Sequence, residues 1–215
     1  LVGKKPLIFT NNDSGYETAI EFKKNGVNPI ILDTRSKPSS DIITEAKDLN
    51  IEIKFSYVVV AAKGYKKVKS ADIAKISDDK KELFNIENIE CDCICVSGFW
   101  TPSIHLASQS GNKSKFNKKI DAFVPDKSKQ KENTIGSANG IFTLEETIKD
   151  AFDKGFDVSN KITEKNIKVS APTVVEKKST EHDKFWCVPL PKGKSYKRFL
   201  DFQNDVAVTD IELAL

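Results

Sequence analysis

The first apolar run of the chain, Pro6-Leu7-Ile8-Phe9-Thr10, is short and nearly continuous, as expected of a strand buried on both faces. It enters a polar turn, Asn11-Asn12-Asp13-Ser14. Tyr16, Ala19, Ile20 and Phe22 then recur at helical spacing until Asn25-Gly26 stops the helix. Residues 27–32 form a second apolar strand ending in Asp33. Pro38-Ser39-Ser40 starts a helix that turns Ile42, Ile43, Ala46 and Leu49 inward, and Ile51-Glu52-Ile53 resumes a strand. Strand, helix, strand, helix, strand predicts an α/β fold with a parallel, right-handed, doubly wound sheet.

From Tyr57 the period changes to two. Residues 57–61, 67–76 and 86–96 predict antiparallel strands of a meander, with a turn at Gly64 and Asp78-Asp79-Lys80-Lys81 as a solvated connection. The meander leaves through Ser97-Gly98-Phe99-Trp100-Thr101-Pro102, where glycine and proline mark a tight exit from the sheet. Residues 134–142 read as a strand end and glycine turn. A helix follows from Thr143, where Thr143 and Glu146 have capping-box spacing, Leu144, Ile148, Ala151 and Phe152 form the apolar stripe, and Gly155 is the expected stop. Residues 156–198 lack a sustained period and read as a connector, with Phe185-Trp186-Cys187-Val188 as the segment pinned to a surface. A new unit begins at 199 with a strand or turn and a helix that runs to the chain end.

Composition narrows the field only modestly. With 34 basic and 31 acidic residues the net charge is +3, so no long-range field argues for nucleic acid or an anionic membrane. No stretch of about 18 apolar residues predicts a membrane span, and four cysteines in this length do not make a disulfide scaffold. The expectation is a soluble, cytoplasmic protein. The absence of methionine reads as an internal piece of a longer chain, and the two arginines, Arg35 and Arg198, among 34 basic residues read as coding bias. Residues 112–131 carry seven lysines against two acids around Phe116 and Ala122-Phe123-Val124, which leaves a solvated loop and a nucleic-acid patch as alternatives.

A strand running into a turn at a helix N-terminus is an anion site by geometry. A dinucleotide fingerprint would place G-x-G-x-x-G there and an acid about 20 residues later. Asp33 fills the acid position, but Thr10-Asn11-Asn12-Asp13-Ser14-Gly15 replaces the glycines, so Asn12 or Asp13 either caps the helix or touches a ligand. Cys91, Cys93 and Cys95 would share one side of a single strand, a spacing that suits small buried side chains better than a tetrahedral metal site. His105 and His182 fit no nucleophile-base pattern, and no catalytic residue is assigned. The glycine turns at Gly98 and at Gly136-Ser137-Ala138-Asn139-Gly140 occur in the order in which a two-dinucleotide-domain flavoprotein leaves its second nucleotide domain and returns to its first.

The runs at 7–14, 95–111 and 136–140, with Asp201-Phe202-Gln203-Asn204-Asp205-Val206, resemble the alpha subunit of heterotetrameric sarcosine oxidase. The resemblance implies a Rossmann-type sheet with a β-meander, an NAD held where relatives hold FAD, and the start of a small C-terminal linker domain. It also implies beta, gamma and delta partner subunits, FAD and FMN in the assembly, and tetrahydrofolate as acceptor of a methylene group beyond this chain. The domains it implies are 1–111 (second nucleotide-binding-like domain), 112–155 (return to the first), 156–198 (connector) and 199–215 (degenerate iron-sulfur-type domain). Thr10, Asn11, Asn12, Gly98, Trp100, Gly136, Ser137, Ala138, Asn139 and Gly140 are the cofactor-binding residues it suggests.

Two positions depart from the pattern. Ser137 stands where flavin relatives carry an acid after glycine. Asp201 and Gln203 stand where iron-sulfur relatives carry cysteines, and carboxylate and amide do not hold such a cluster as thiolates do, so none is expected. The competing expectations are a non-catalytic dinucleotide-binding scaffold of a related amine or amino-acid oxidase or dehydrogenase complex, and a ferredoxin-reductase-type NAD(P)H enzyme, which would need the missing glycines.

Overall fold

A computed structural model describes residues 3–163, 169–174, 182–194 and 197–214. The connector residues 164–168, 175–181 and 195–196 and the terminal Leu215 lie outside the described residues. The chain divides into two compact units, one of residues 1–10, 15–96 and 185–215 and one of residues 11–14 and 97–184.

In the first unit β1 (Pro6–Thr10) leads to α1 (Ser14–Lys24), β2 (Ile30–Asp33), α2 (Asp41–Asp48) and β3 (Glu52–Phe55). β1 pairs parallel with β2, from Leu7 opposite Ile30 to Thr10 opposite Asp33, and β2 pairs parallel with β3. Alternate residues face opposite ways. Ile8 and Ile31 join Tyr16, Ile20 and Phe22 of α1 and Ile43 and Ala46 of α2 in one core, while Leu7 and Leu32 enter a second with Ala71, Ile73 and Cys91. The continuous apolar strands follow from this two-sided burial, which stabilises by about 1.5–3 kcal/mol per large aliphatic side chain.

The helices are not distributed over both faces as a doubly wound sheet requires. Strands added successively to one edge through right-handed crossovers place both helices on the same face, and the meander covers the other. That meander is β4 (Tyr57–Gly64), β5 (Val68–Ile76) and β6 (Leu83–Glu90), antiparallel in that order. The apolar run at 86–96 is two strands rather than one. The Cys91 N–H still donates to Lys69, but the Asp92 N–H donates to Lys5, and β7 (Cys93–Ser97) joins β1 to give the order β3-β2-β1-β7. The Asp92 carboxylate fixes this change of partner by accepting the backbone N–H groups of Lys4 and Lys5, both at 2.8 Å. Cys91 is therefore buried between strands, and only Cys93 and Cys95 share a strand face.

The second unit holds α3 (His105–Gln109), which the sequence pattern did not announce, and a hairpin of β8 (Ser114–Asn117) and β9 (Ala122–Pro125). The lysine-rich segment is thus ordered around a cross-strand edge-to-face pair, Phe116 with Phe123. A 3-10 helix (Gly136–Asn139) replaces the expected strand end, and α4 (Leu144–Thr163) follows. Helix α4 passes through Gly155: a helical glycine costs only about 1 kcal/mol relative to alanine, and the stacked rings of Phe152 and Phe156 span that turn. Back in the first unit, Phe185 and Val188 pack against the cluster of Val58, Ala74 and Ile76, and β10 (Phe199–Asp201), β11 (Val206–Ala207) and α5 (Val208–Ala214) end the described chain. Among the described residues no helix is long and apolar enough to cross a membrane.

The N–H groups of Lys4 and Lys5 hold the Asp92 carboxyl below its ordinary value of 3.8. A lowered native pKa makes the clip fully stabilising above that ordinary value, and the stabilisation is lost as pH falls through the native one. Asp92→Asn should accordingly be less stable than the parent protein at neutral pH, with the gap closing in acid. Urea midpoints at pH about 7 and about 2.5 check this; a gap of the same size at both would contradict it.

Candidate functional site

Thr10, at the end of β1, is buried, and a Cβ on Gly15 would lie 2.6 Å from its Cβ. Gly15 therefore makes room for a threonine, not for a phosphate. Beyond Thr10 the turn is organised by Asn12, which is also buried. Its Oδ1 accepts the Ser14 N–H at 2.9 Å and the Ser14 hydroxyl at 2.7 Å. Its Nδ2 donates to Asn11 Oδ1 at 2.7 Å, to the Ser97 carbonyl at 3.2 Å and to Ser97 Oγ at 3.1 Å. Of the two capping candidates, Asn12 accepts the Ser14 N–H at the start of α1. Asn11 donates its own N–H to the Ser97 carbonyl and its Nδ2 to the Asp183 carbonyl at 2.8 Å.

Asp33, the acid expected at a ribose, is fully buried. Its Oδ2 accepts the Tyr16 hydroxyl at 2.7 Å and Arg35 Nη2 at 2.8 Å, while its Oδ1 accepts the Arg35 backbone N–H at 2.9 Å and Nε at 3.0 Å. Both oxygens are committed to the fold, and a sugar hydroxyl would have to displace a bidentate guanidinium. Sequence reasoning missed this group although a signal was present. In a chain that otherwise uses lysine, arginine stands at position 35, where the buried Asp33 takes a planar fork.

The two glycine turns come together within the second unit. Gly140 has φ +81°, and a Cβ there would lie 2.6 Å from Ile120 Cδ1, 3.0 Å from Val124 Cγ1 and 3.7 Å from Pro102 Cγ. The Phe99 ring meets Phe142 edge-on at 5.5 Å. Gly136, buried at φ +60°, donates its N–H to Asp150 Oδ2 at 3.1 Å, and a Cβ on it would lie 2.9 Å from Thr147 Cγ2. Both glycines are required by backbone conformation and packing. Ser137 is exposed, Ala138 and Asn139 are half-exposed, Gly98 has open space around its Cα, and Trp100 is 63% exposed. These five form the accessible part of the predicted set. The N-terminus of α4 serves itself: Thr143 Oγ1 accepts the Glu146 N–H at 3.2 Å and bonds the Glu146 carboxylate at 2.8 Å, and Glu145 adds a second acid to the first turn. That end offers an anion little.

Cys93 and Cys95 approach to 3.7 Å between sulfurs, and burial pushes the Cys95 thiol up to about 11, so it stays protonated at neutral pH. Among the described residues no group of three His, Cys, Asp or Glu side chains is placed to hold a metal ion. The Asp201 carboxylate accepts the N–H groups of Gln203 and Asn204 and the Asn204 side-chain amide, which builds a turn.

Removing one member of a buried ion pair strands the other. Asp33→Ala should destabilise the protein by about 3–5 kcal/mol in urea unfolding, with Asp33→Asn intermediate; a loss below about 1 kcal/mol would show that Asp33 is not held as described.

No family model matches the chain. The sarcosine oxidase subunit alpha of Corynebacterium sp. (strain P-1) is 24% identical over 215 residues, 97% of this chain and 22% of that protein. The subunit alpha of Rhizobium meliloti (strain 1021) is 28% identical over 218 residues, 99% of this chain and 20% of that protein. Among solved structures, the flavoprotein disulfide reductase RclA from Escherichia coli superimposes with a TM-score of 0.53 at 14% identity, over 75% of this chain and 36% of that one. A bacillithiol disulfide reductase from Staphylococcus aureus does so with 0.50 at 15%, over 76% and 52%. The fold is that of a flavoprotein reductase's α/β region, a parallel sheet with an antiparallel meander. Over nearly all of its length the chain is similar to about a fifth of sarcosine oxidase subunit alpha.

Proposed function

We propose that this chain is an internal portion of the NAD-binding alpha subunit of a heterotetrameric sarcosine oxidase. The whole assembly would oxidise sarcosine to glycine, pass the methylene group to tetrahydrofolate and produce hydrogen peroxide. The observation that carries the reading is similarity to curated alpha subunits along 97–99% of the chain, on a fold shared with flavoprotein reductases. Beta, gamma and delta subunits, FAD and FMN belong to the assembly on this reading, and the amine and folate sites lie outside these 215 residues.

Within the chain, NAD would approach the turn from Gly136 to Gly140 beside Gly98 and Trp100. The residues fit such a ligand. The turn presents Ser137, exposed and uncharged, where flavin relatives carry an acid, a change that fits a ligand other than FAD. Thr10, Asn11 and Asn12 then support the neighbouring exit at Ser97 rather than touch the ligand. Helix α4 also fits a return toward a further nucleotide domain. Its apolar stripe of Ile148, Ala151, Phe152 and Phe156 has no fully buried member, and Leu144 is 53% exposed. NAD would supply a hydride carrier or a structural dinucleotide, and this chain's residues would bind and orient it.

Gly136→Val is a poor test because the φ of +60° and Thr147 penalise it with or without ligand. Ser137→Asp is the sharper one, since an exposed substitution shifts stability by only about 0.5 kcal/mol. In the full-length assembly it should lower bound NAD about tenfold and leave the melting temperature of the NAD-free protein unchanged. Unaltered NAD content would overturn the site, and failure of the NAD-replete assembly to release peroxide from sarcosine would overturn the activity.

A further inference from the structure

Residues 112–131 carry seven lysines against two acids, a net +5 where the whole chain carries +3, and the hairpin of β8 and β9 arranges them. The register sets Lys115 opposite Val124 and Phe116 opposite Phe123. Alternation then gives the hairpin two unlike faces. Ala122 and Val124 are buried, with Val124 beside Gly140. Phe116 and Phe123 stand on the other face, 50% and 53% exposed, their rings edge-to-face at 5.3 Å. Both acids are already taken, Asp126 by Lys115 and Asp121 by Lys184, each at 3.2 Å. Six ammonium groups remain without a carboxylate partner among the described residues. Lys118 and Lys119 lie in the turn after β8, while Lys113, Lys127, Lys129 and Lys131 lie at the open end of the hairpin. Five steps from 113 to 118 at about 3.3 Å each span roughly 16 Å, so the aromatic pair sits midway between two positive ends.

An apolar aromatic centre with charge at its margins is the anatomy of a protein interface. The two rings support each other edge-to-face, so little side-chain freedom is left to lose when a partner arrives. We propose that the outer face of the β8–β9 hairpin is a docking surface for another subunit of the assembly, one with an apolar recess for Phe116 and Phe123 between carboxylates that meet the lysines at either end. The inference rests on the reading of this chain as one subunit of several. Charge complementarity selects the partner, because lysines at a rim steer an acidic surface into register and repel a basic one. Nucleic acid is served less well. The segment contains no arginine, and the edge-to-face pair covers a ring face on which a base would stack.

A carbodiimide converts an amine and a carboxylate in contact into an amide, so zero-length cross-linking of the purified full-length assembly reads this surface directly. The Lys115–Asp126 and Lys184–Asp121 pairs serve as internal controls. Peptide mapping should find Lys118 or Lys119, and Lys127 or Lys129, joined to aspartates or glutamates of a different polypeptide. Replacing both rings, Phe116→Thr with Phe123→Thr, should lower the yield of those links about tenfold and leave the control links unchanged. If that variant fails to fold, as lost control links would report, the links in the unaltered protein still decide. Control links with none to another polypeptide would overturn the proposal. So would links that lead only to carboxylates of the same full-length chain, or a co-purifying nucleic acid that shields these lysines from acetylation until a nuclease removes it. A full-length protein that purifies without other polypeptides overturns the assembly reading itself, and this inference with it, whereas an intact assembly lacking the links overturns only the docking surface.

Discussion

A side-chain amide offers one acceptor oxygen and two N–H donors, and at Asn12 all of them are engaged where three parts of the chain meet. The oxygen starts α1 through Ser14, and the nitrogen reaches across to Asn11 and to the end of β7 at Ser97. No other side chain of that size does both tasks, because aspartate would lose the donors and serine the reach. With this amide buried, each of its bonds is costly to lose.

The same economy of polar groups explains why the β1–α1 turn keeps the architecture of a dinucleotide site without its chemistry. A phosphate cradle requires small residues and backbone N–H groups aimed at the ligand. Here Thr10 fills the space that Gly15 leaves, and Asn12 caps the helix. A ribose acid requires free lone pairs, whereas Asp33 gives its own to Tyr16 and Arg35. The glycine turn at Gly136 and Gly140 differs: its strained positions face inward, and Ser137 is left at the surface.

Much of this was legible in the residues. The alternation of Leu7 with Ile8 and of Ile31 with Leu32 predicted strands buried on both sides, and Thr143 with Glu146 announced the start of α4. The pattern could not show that the run through Cys91 changes sheets, because a strand that swaps partners keeps its period, and only the carboxylate of Asp92 marks the break. Gly155 was misread as a stop because propensity weighs about 1 kcal/mol, less than the packing of Phe152 on Phe156 can offset. The pairing of Asn11 and Asn12 with residues 182–183 joins positions about 170 apart, a separation to which no local periodicity responds.

On the proposed reading, the dinucleotide of the full-length protein is held at the turn from Gly136 to Gly140. Counting the dinucleotide released on denaturation of the purified full-length protein tests it most directly. The account predicts one NAD per chain; two per chain, or none, would contradict it.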